Sequence, residues 1–153
     1  CKDAEVTIAY EDGVQHVYLN GNDISSRLRN EEVGNMASVT SAIPEVRKKL
    51  LELQQNLAKT QNVIMDGRDI GTCVLPHADV KVYLTASVET RAKRRYQELQ
   101  EKGEEIAHDI EERDRRDMTR EIAPLKQAED AVLVDSSDMT IAEVVKTIVD
   151  LCR

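Results

Sequence analysis

The first 20 residues alternate between apolar and polar positions, which is the period of a β-strand. The apolar positions on either side of a turn at 11–13 are Val6, Ile8, Tyr10, Val17 and Leu19. Alternation on both sides of a turn that contains glycine predicts a β-hairpin. A second turn, of sequence NGND, follows at 20–23.

Two helices are predicted after the hairpin, because apolar residues recur there at helical spacing. Residues 31–42 can form a short helix, and Pro44 suits the first turn of a second one. The apolar stripe of the second helix consists of Val46, Leu50, Leu53 and Leu57. The hairpin and the two helices are expected to form a small α+β unit over residues 1–60.

A different pattern begins near residue 61 and predicts a parallel sheet. Short β-branched runs that end at turn-forming residues occupy 63–65, 80–84 and 131–135. They alternate with helical stretches at 88–101 and 140–152. Strands that alternate with helices are typical of an α/β fold. Residues 61–153 are therefore expected to form the larger part of the fold.

Composition limits the classes of function. The chain has 29 acidic and 21 basic residues, a formal net charge of −8, and neither Trp nor Phe. Tight binding to nucleic acid relies on Lys and Arg that neutralise phosphates and on aromatic rings that stack on bases, so nucleic acid is not an expected partner. No apolar run approaches the roughly 18 residues of a membrane span, and we expect a cytoplasmic protein. Cys1, Cys73 and Cys152 are too widely spaced to suggest a disulfide framework or a zinc site.

Arginines nevertheless concentrate in ERDRRDMTREIAPL, residues 112–125. Four of its residues would fall within about 100° of one another on a helix, namely Arg113, Arg116, Asp117 and Arg120. Arg113 and Arg120 would be roughly 10 Å apart along the axis, so they could hold two ends of one phosphorylated small molecule, with Asp117 holding a neighbour in place. The alternative is a solvated face with i,i+4 ion pairs.

A second cluster, of Arg91, Arg94 and Arg95, is predicted on one face of the helix after strand 80–84. Arginine suits bidentate phosphate recognition better than lysine does. Between the two clusters, a polar segment opens at Lys102-Gly103 and is expected to be mobile. We therefore predict a lid that closes over phosphates.

The segment MDGRDIGT, residues 65–72, follows the first predicted strand of the sheet. Ligands of open α/β sheets bind beyond the carboxyl ends of strands, where Asp66, Arg68 and Asp69 are expected. A carboxylate there can orient waters on Mg²⁺ or accept sugar hydroxyls, and Arg68 can neutralise a transferring phosphoryl group. The other interpretation is a glycine-containing turn with a local ion pair.

Taken together, these segments resemble the bacterial cytidylate kinases, which transfer the γ-phosphoryl group of ATP to CMP or dCMP. The resemblance covers nearly the whole chain and rests on NGNDIS (20–25), EVGNMASVTSAIPEVR (32–47), VIMDGRDIGT (63–72), RAKRRYQEL (91–99) and ERDRRDMTREIAPL (112–125). It implies the fold of P-loop nucleoside monophosphate kinases, a parallel sheet with helices on both faces. It also implies that residues 1–60 are an inserted CMP-binding unit, and that the lid lies at about 96–112.

The resemblance also implies a role for each of eleven residues. The CMP-binding residues would be Ser38, Arg47, Asp69, Arg113 and Arg120. Arg68, Arg116 and Asp117 would meet the phosphoryl group in transit. Arg91 and Arg95 would grip the ATP phosphates from the lid. Asp66 would lie in the outer sphere of Mg²⁺. The implied partners are small nucleotides, with Mg²⁺ as the cofactor and the intact protein expected to be a monomer.

The chain departs from the family pattern in one respect: no GxxxxGK[ST] sequence, the P-loop that cradles ATP phosphates, occurs in it. In the implied fold the P-loop strand lies between the strands predicted at 63–65 and 80–84. We therefore expect a C-terminal portion of a kinase, inactive by itself. A noncatalytic CMP-binding module and a protein-interaction domain with solvated arginines are the alternatives.

Overall fold

The computed structural model describes residues 3–28, 30–99 and 103–153. The chain divides into two compact units, Cys1–Ile64 and Met65–Arg153. The first unit contains the hairpin and two helices, and the second contains a parallel sheet with three helices. The predicted α/β class, with helices and a small parallel sheet, is confirmed.

The first unit begins with the predicted hairpin. Strand β1 (Val6–Glu11) pairs antiparallel with β2 (Val14–Leu19). The two turn residues between them, Asp12 and Gly13, have φ values of 51° and 79°. Positive φ at both central residues gives a two-residue turn the twist of the flanking strands. A short third strand, β3 (Asn22–Asp23), pairs with β2.

Two helices complete the first unit, close to the predicted bounds. Helix α1 spans Glu31–Thr40, and α2 spans Pro44–Thr60. Pro44 stands in the first turn of α2, where its missing N–H leaves no hydrogen bond unmade. Ile43, just before it, has extended backbone, as the residue before a proline favours.

In the second unit, strands β4 (Val82–Thr85) and β5 (Val132–Asp135) are parallel. Helix α3 (Val88–Leu99) packs against α4 (Gly103–Thr119). Helix α5 (Ile141–Leu151) begins with a reciprocal cap, in which the side chains of Thr140 and Glu143 bond each other's backbone N–H. Among the described residues, the buried apolar side chains are Val74, Ala86, Ala92, Ile106 and Val134.

The strand predicted at 63–65 is wrong. These residues form no strand, and the side chain of Ile64 is fully exposed. A β-branched run becomes a strand only where a neighbour completes its hydrogen bonds. In the part of the chain that the structure describes, no strand pairs with this segment.

The polar segment between the two arginine clusters also differs from the prediction of a separate mobile segment. From Gly103 onward it is helical, continuous with the arginine stretch to Thr119. Ile106 explains the helix, because its buried side chain anchors an otherwise charged sequence. Residues 100–102, including Lys102 of the predicted opening, lie outside the described residues.

Candidate nucleotide site

The carboxylate of Asp117 is the centre of the charged cluster in the second unit. Asp117 lies near the end of α4, and only 2% of its surface is exposed. Its Oδ2 accepts a hydrogen bond from Nε of Arg68 at 3.0 Å, and its Oδ1 lies 3.7 Å from Nη1 of Arg120. A buried carboxylate is tolerated when guanidinium groups pair with it, so Asp117 acts as an internal counter-ion.

Arg120 lies just beyond the end of α4 and pairs with residues close to it in the sequence and with one from a distant segment. Besides Asp117, Nη2 lies 3.8 Å from Oδ1 of Asp69, and Nε donates to the backbone carbonyl of Ala123 at 2.7 Å. The side chain is only 9% exposed. Asp69 itself stands directly before a π-helical turn, Ile70–Val74, that contains the buried Val74. Asp69 and Arg120, both of which the resemblance implies for CMP binding, therefore lie within ion-pair distance of each other.

Arg113 lies one helical turn before Asp117 and differs from Arg68 and Arg120 in its hydrogen bonding. Among the half-buried and buried residues that the structure describes, its Nε is the one buried side-chain nitrogen or oxygen without a hydrogen-bond partner. Burial lowers the pKa of Arg113, and the positive charges of Arg68 and Arg116 lower it further, while Asp117 and Asp114 oppose the shift. A buried guanidinium with an unused donor favours an anionic or hydrogen-bond-accepting ligand.

The predicted arginine cluster on α3 separates into two environments. Arg91 donates from Nε to the carbonyl of Ala86, just after β4, and its Nη1 lies 2.6 Å from the carboxylate of Asp114 on α4. Arg94 instead donates to the backbone carbonyls of Ser136 and Met139 after β5.

Arg94 therefore ties α3 to the loop that leads into α5. Its hydrogen bonds give it a structural role, although the sequence placed it on one face with Arg91. Arg95 is half-buried and has an interaction of its own. Arg91 thus contacts the arginine-bearing helix α4.

Asp66 is exposed at the start of the second unit. Mg²⁺ retains several waters and is commonly held by one or two carboxylates together with substrate phosphates. An exposed carboxylate that can accept hydrogen bonds from those waters fits this requirement. Among the described residues, no group of three or more His, Cys, Asp or Glu side chains could hold a metal by itself.

The two remaining predicted site residues lie in the first unit, where α1 is followed by α2. Ser38 is 8% exposed on α1. Arg47, in the first turns of α2, donates from Nη1 to the carbonyl of Ser41 at 3.4 Å, and the hydroxyl of Ser41 donates to the carbonyl of Ser38. Ser41 thus connects the surroundings of both side chains.

Sequence reasoning missed several residues that contact the arginines, and Asp114 and Ala123 are two of them. Asp114 pairs with Arg91, but within ERDRRD nothing distinguishes it from the other acidic residues. Ala123 supplies a carbonyl to Arg120. The one signal for it was Pro124, because a residue before proline is displaced from helical backbone.

These features define an α/β protein in which arginines are gathered around the buried carboxylate of Asp117. A family model of cytidylate kinase matches residues 2–153. The chain belongs to the cytidylate kinase family.

Individual relatives agree with this assignment. The chain is 48% identical over 152 residues to a cytidylate kinase of Caldicellulosiruptor bescii, covering 96% of this chain and 67% of the relative. It is 51% identical to that of Lactobacillus johnsonii, covering 94% of this chain and 64% of the relative. A cytidylate kinase of Shouchella clausii is 52% identical, with 90% and 63% covered. The chain thus spans about two thirds of the length of these relatives.

Within the described residues, the helices are either too short or too polar to pass through a bilayer.

Proposed function

We propose that this chain forms part of a nucleoside monophosphate kinase that transfers the γ-phosphoryl group of ATP to CMP or dCMP, giving CDP or dCDP. The observation that carries the proposal is Arg113, whose buried Nε lacks a partner beside the Asp117 network. An acceptor nucleotide would supply the missing oxygen. Family membership and the relatives' names support the choice of a cytidine nucleotide.

The acceptor would be held at its base, sugar and phosphate. Ser38 and Arg47 would read the oxygen and nitrogen acceptors of cytosine, since a hydroxyl and a guanidinium are suitable donors. Asp69 and Arg113 would bind the ribose, and Arg120 the phosphate. A base without matching acceptors would leave buried polar groups unpaired and bind more weakly.

Phosphoryl transfer depends mainly on positioning and on stabilising charge, so arginines around the moving group are the expected machinery. Arg68 and Arg116 would meet that charge, and Asp117 would orient Arg68 through their 3.0 Å hydrogen bond. Balanced by this carboxylate, the arginines can gather before the nucleotide binds.

The ATP phosphates would be gripped by Arg91 and Arg95, on the helix that leads into a lid at about 96–112. Mg²⁺, when bound with ATP, would neutralise phosphate charge. Asp66 would hold waters of that ion. Each of these roles can be tested by replacing the residue.

The finer architecture belongs to the same proposal. Residues 1–60 would be the CMP-binding unit inserted in a P-loop nucleoside monophosphate kinase fold, and 61–153 the remaining core. The protein would act in pyrimidine nucleotide metabolism as a cytoplasmic monomer with small nucleotides as its partners.

The first experiment tests cytosine recognition. ADP release would be measured with CMP, UMP and AMP, using a protein in which the P-loop segment of a relative precedes Cys1. CMP should react much faster than the other two. Arg47→Met should raise the KM for CMP, whereas Lys48→Met, an exposed neighbour in the same helix, should not. Equal rates with the three nucleotides would refute recognition by Ser38 and Arg47.

A noncatalytic CMP-binding module is the second candidate, favoured by the absence of GxxxxGK[ST] from the 153 residues. For these 153 residues alone we expect negligible turnover, because they contain no GxxxxGK[ST] sequence whose backbone could cradle the ATP phosphates. Calorimetric titration with CMP addresses the module directly. Heat without turnover would be consistent with binding, no heat would refute the module, and measurable turnover would refute the need for a P-loop.

A further inference from the structure

The turn after α4 contains the unusual backbone of Ala123. Its φ is +47°, whereas the other described residues with positive φ are Asp, Asn or Gly in the hairpin turns. An alanine side chain clashes with the backbone in this left-handed region, so the conformation persists only when its surroundings impose it. Such a residue needs a structural explanation.

Two backbone hydrogen bonds and a proline fix this turn. The backbone N–H of Arg120 donates to the carbonyl of Arg116, which extends the helical hydrogen bonding by one residue. The N–H of Leu125 then donates to the carbonyl of Asp117 at 2.8 Å, bringing the chain back onto the helix end. Between them, Pro124 disfavours right-handed helical backbone at the preceding residue. Ala123 is thereby directed away from the helical conformation.

The result of this conformation is a hydrogen bond to Arg120. The carbonyl of Ala123 accepts from Nε of Arg120 at 2.7 Å. Binding at Nε fixes the plane of the guanidinium, because Nε is attached to the side chain and the two outer nitrogens lie in the same plane. Those outer nitrogens are the ones near Asp69 and Asp117.

We propose that Ala123 is a positioning residue for the acceptor phosphate: its left-handed backbone presents a carbonyl that orients Arg120. The inference rests on the proposed function, in which Arg120 binds the phosphate of CMP. Ala123 touches no substrate and acts only through Arg120.

Two substitutions of similar size separate backbone conformation from bulk. Valine is β-branched and strongly disfavours positive φ, whereas asparagine tolerates it. We expect Ala123→Val to weaken CMP binding about tenfold, since a well-oriented hydrogen bond to a charged group is lost. Ala123→Asn should rescue the affinity. The measurement is an NMR titration of the 153-residue chain, which also quantifies weak binding.

Cytidine, which has no phosphate, distinguishes this role from a general structural one. Ala123→Val should leave the affinity for cytidine unchanged. It should also have no further effect on CMP in an Arg120→Lys background, because lysine has no Nε donor. An equal loss of CMP and cytidine affinity, or an unchanged CMP affinity, would overturn the proposal.

A failure of the proposed function would look different. If the wild-type chain bound CMP no better than cytidine, or Arg120→Lys had no effect, the phosphate assignment of Arg120 would be wrong, and with it the role of Ala123.

If Ala123→Val does not fold, Pro124→Ala replaces it, because it frees Ala123 to adopt helical backbone. A loss of CMP affinity without loss of cytidine affinity is then expected, and no change would refute the proposal.

Discussion

At the scale of single residues, the geometry of the site depends on Asp117. The face shared by Arg113, Arg116 and Asp117 could be predicted, since helical spacing fixes which side chains are neighbours. The burial of Asp117 could not, because it depends on Arg68, which lies 49 residues away in the sequence. The sequence also did not show that Arg91 and Arg94 have different partners, because those partners come from different segments of the chain.

Replacing Asp117 by asparagine should destabilise the protein. The change leaves Arg68 and Arg120 without their shared negative charge, and removing one partner of a buried pair is costly, so we expect a loss of about 2 kcal/mol in the free energy of unfolding. Urea denaturation measures it. Asp150→Asn is the matched control, because its exposed pair with Lys146 should contribute less than about 0.5 kcal/mol. Equal effects of the two changes would contradict the role of Asp117.

Replacing Arg113 by methionine should have opposite effects on stability and binding. The change removes a buried donor without a partner and its repulsion with Arg68, so the free protein should be as stable as the wild type or about 1 kcal/mol more stable. Binding of CMP should be lost. Thermal unfolding with and without CMP tests both statements. A strongly destabilised variant would show that Arg113 has a structural function instead.

At the scale of elements, predictions succeeded where the signal was local. The hairpin and α2 are encoded by alternation, glycine turns and a proline within a few residues of each other. The prediction of a strand at 63–65 was wrong, because a strand needs a neighbouring strand to complete its hydrogen bonds and the local pattern does not show whether one is present. The helical start of α4 was not predicted, because charged residues outnumber the apolar ones there and concealed the buried Ile106.

The stability of the contact between β2 and β3 should depend on pH through Asp23. Hydrogen bonds from Ser25, and then from His16, lower the pKa of Asp23 from 3.8 to about 2. The folded state therefore binds this proton more weakly than the unfolded state. The stabilisation is fully present above about pH 4 and is lost as the pH falls towards 2.

NMR titration of the Asp23 carboxyl group gives the pKa directly. Ser25→Ala should raise it towards 3.8, because the largest cause of the shift is the hydrogen bond from the Ser25 side chain. In Asp23→Asn, the loss of stability between pH 4 and 2 should be smaller than in the wild type. Parallel curves for the two proteins would contradict this account.

At the scale of the whole molecule, net charge and local charge point in opposite directions. The chain carries a formal charge of −8, yet 7 of its 12 arginines lie between residues 91 and 120. A ligand responds to the local field, so an acidic protein can still bind a small anion. Composition favours a small ligand over a polyanion, and this stays a prediction.

The Asp117 network has a consequence for the energetics of recognition. Like charges repel, and bringing several guanidiniums together is unfavourable wherever it happens. Here a carboxylate within the chain offsets that repulsion during folding. If the proposed function holds, an incoming dianion would meet cations that are already aligned. More of its attraction would then remain available as affinity, because little would be consumed in reorganising the protein.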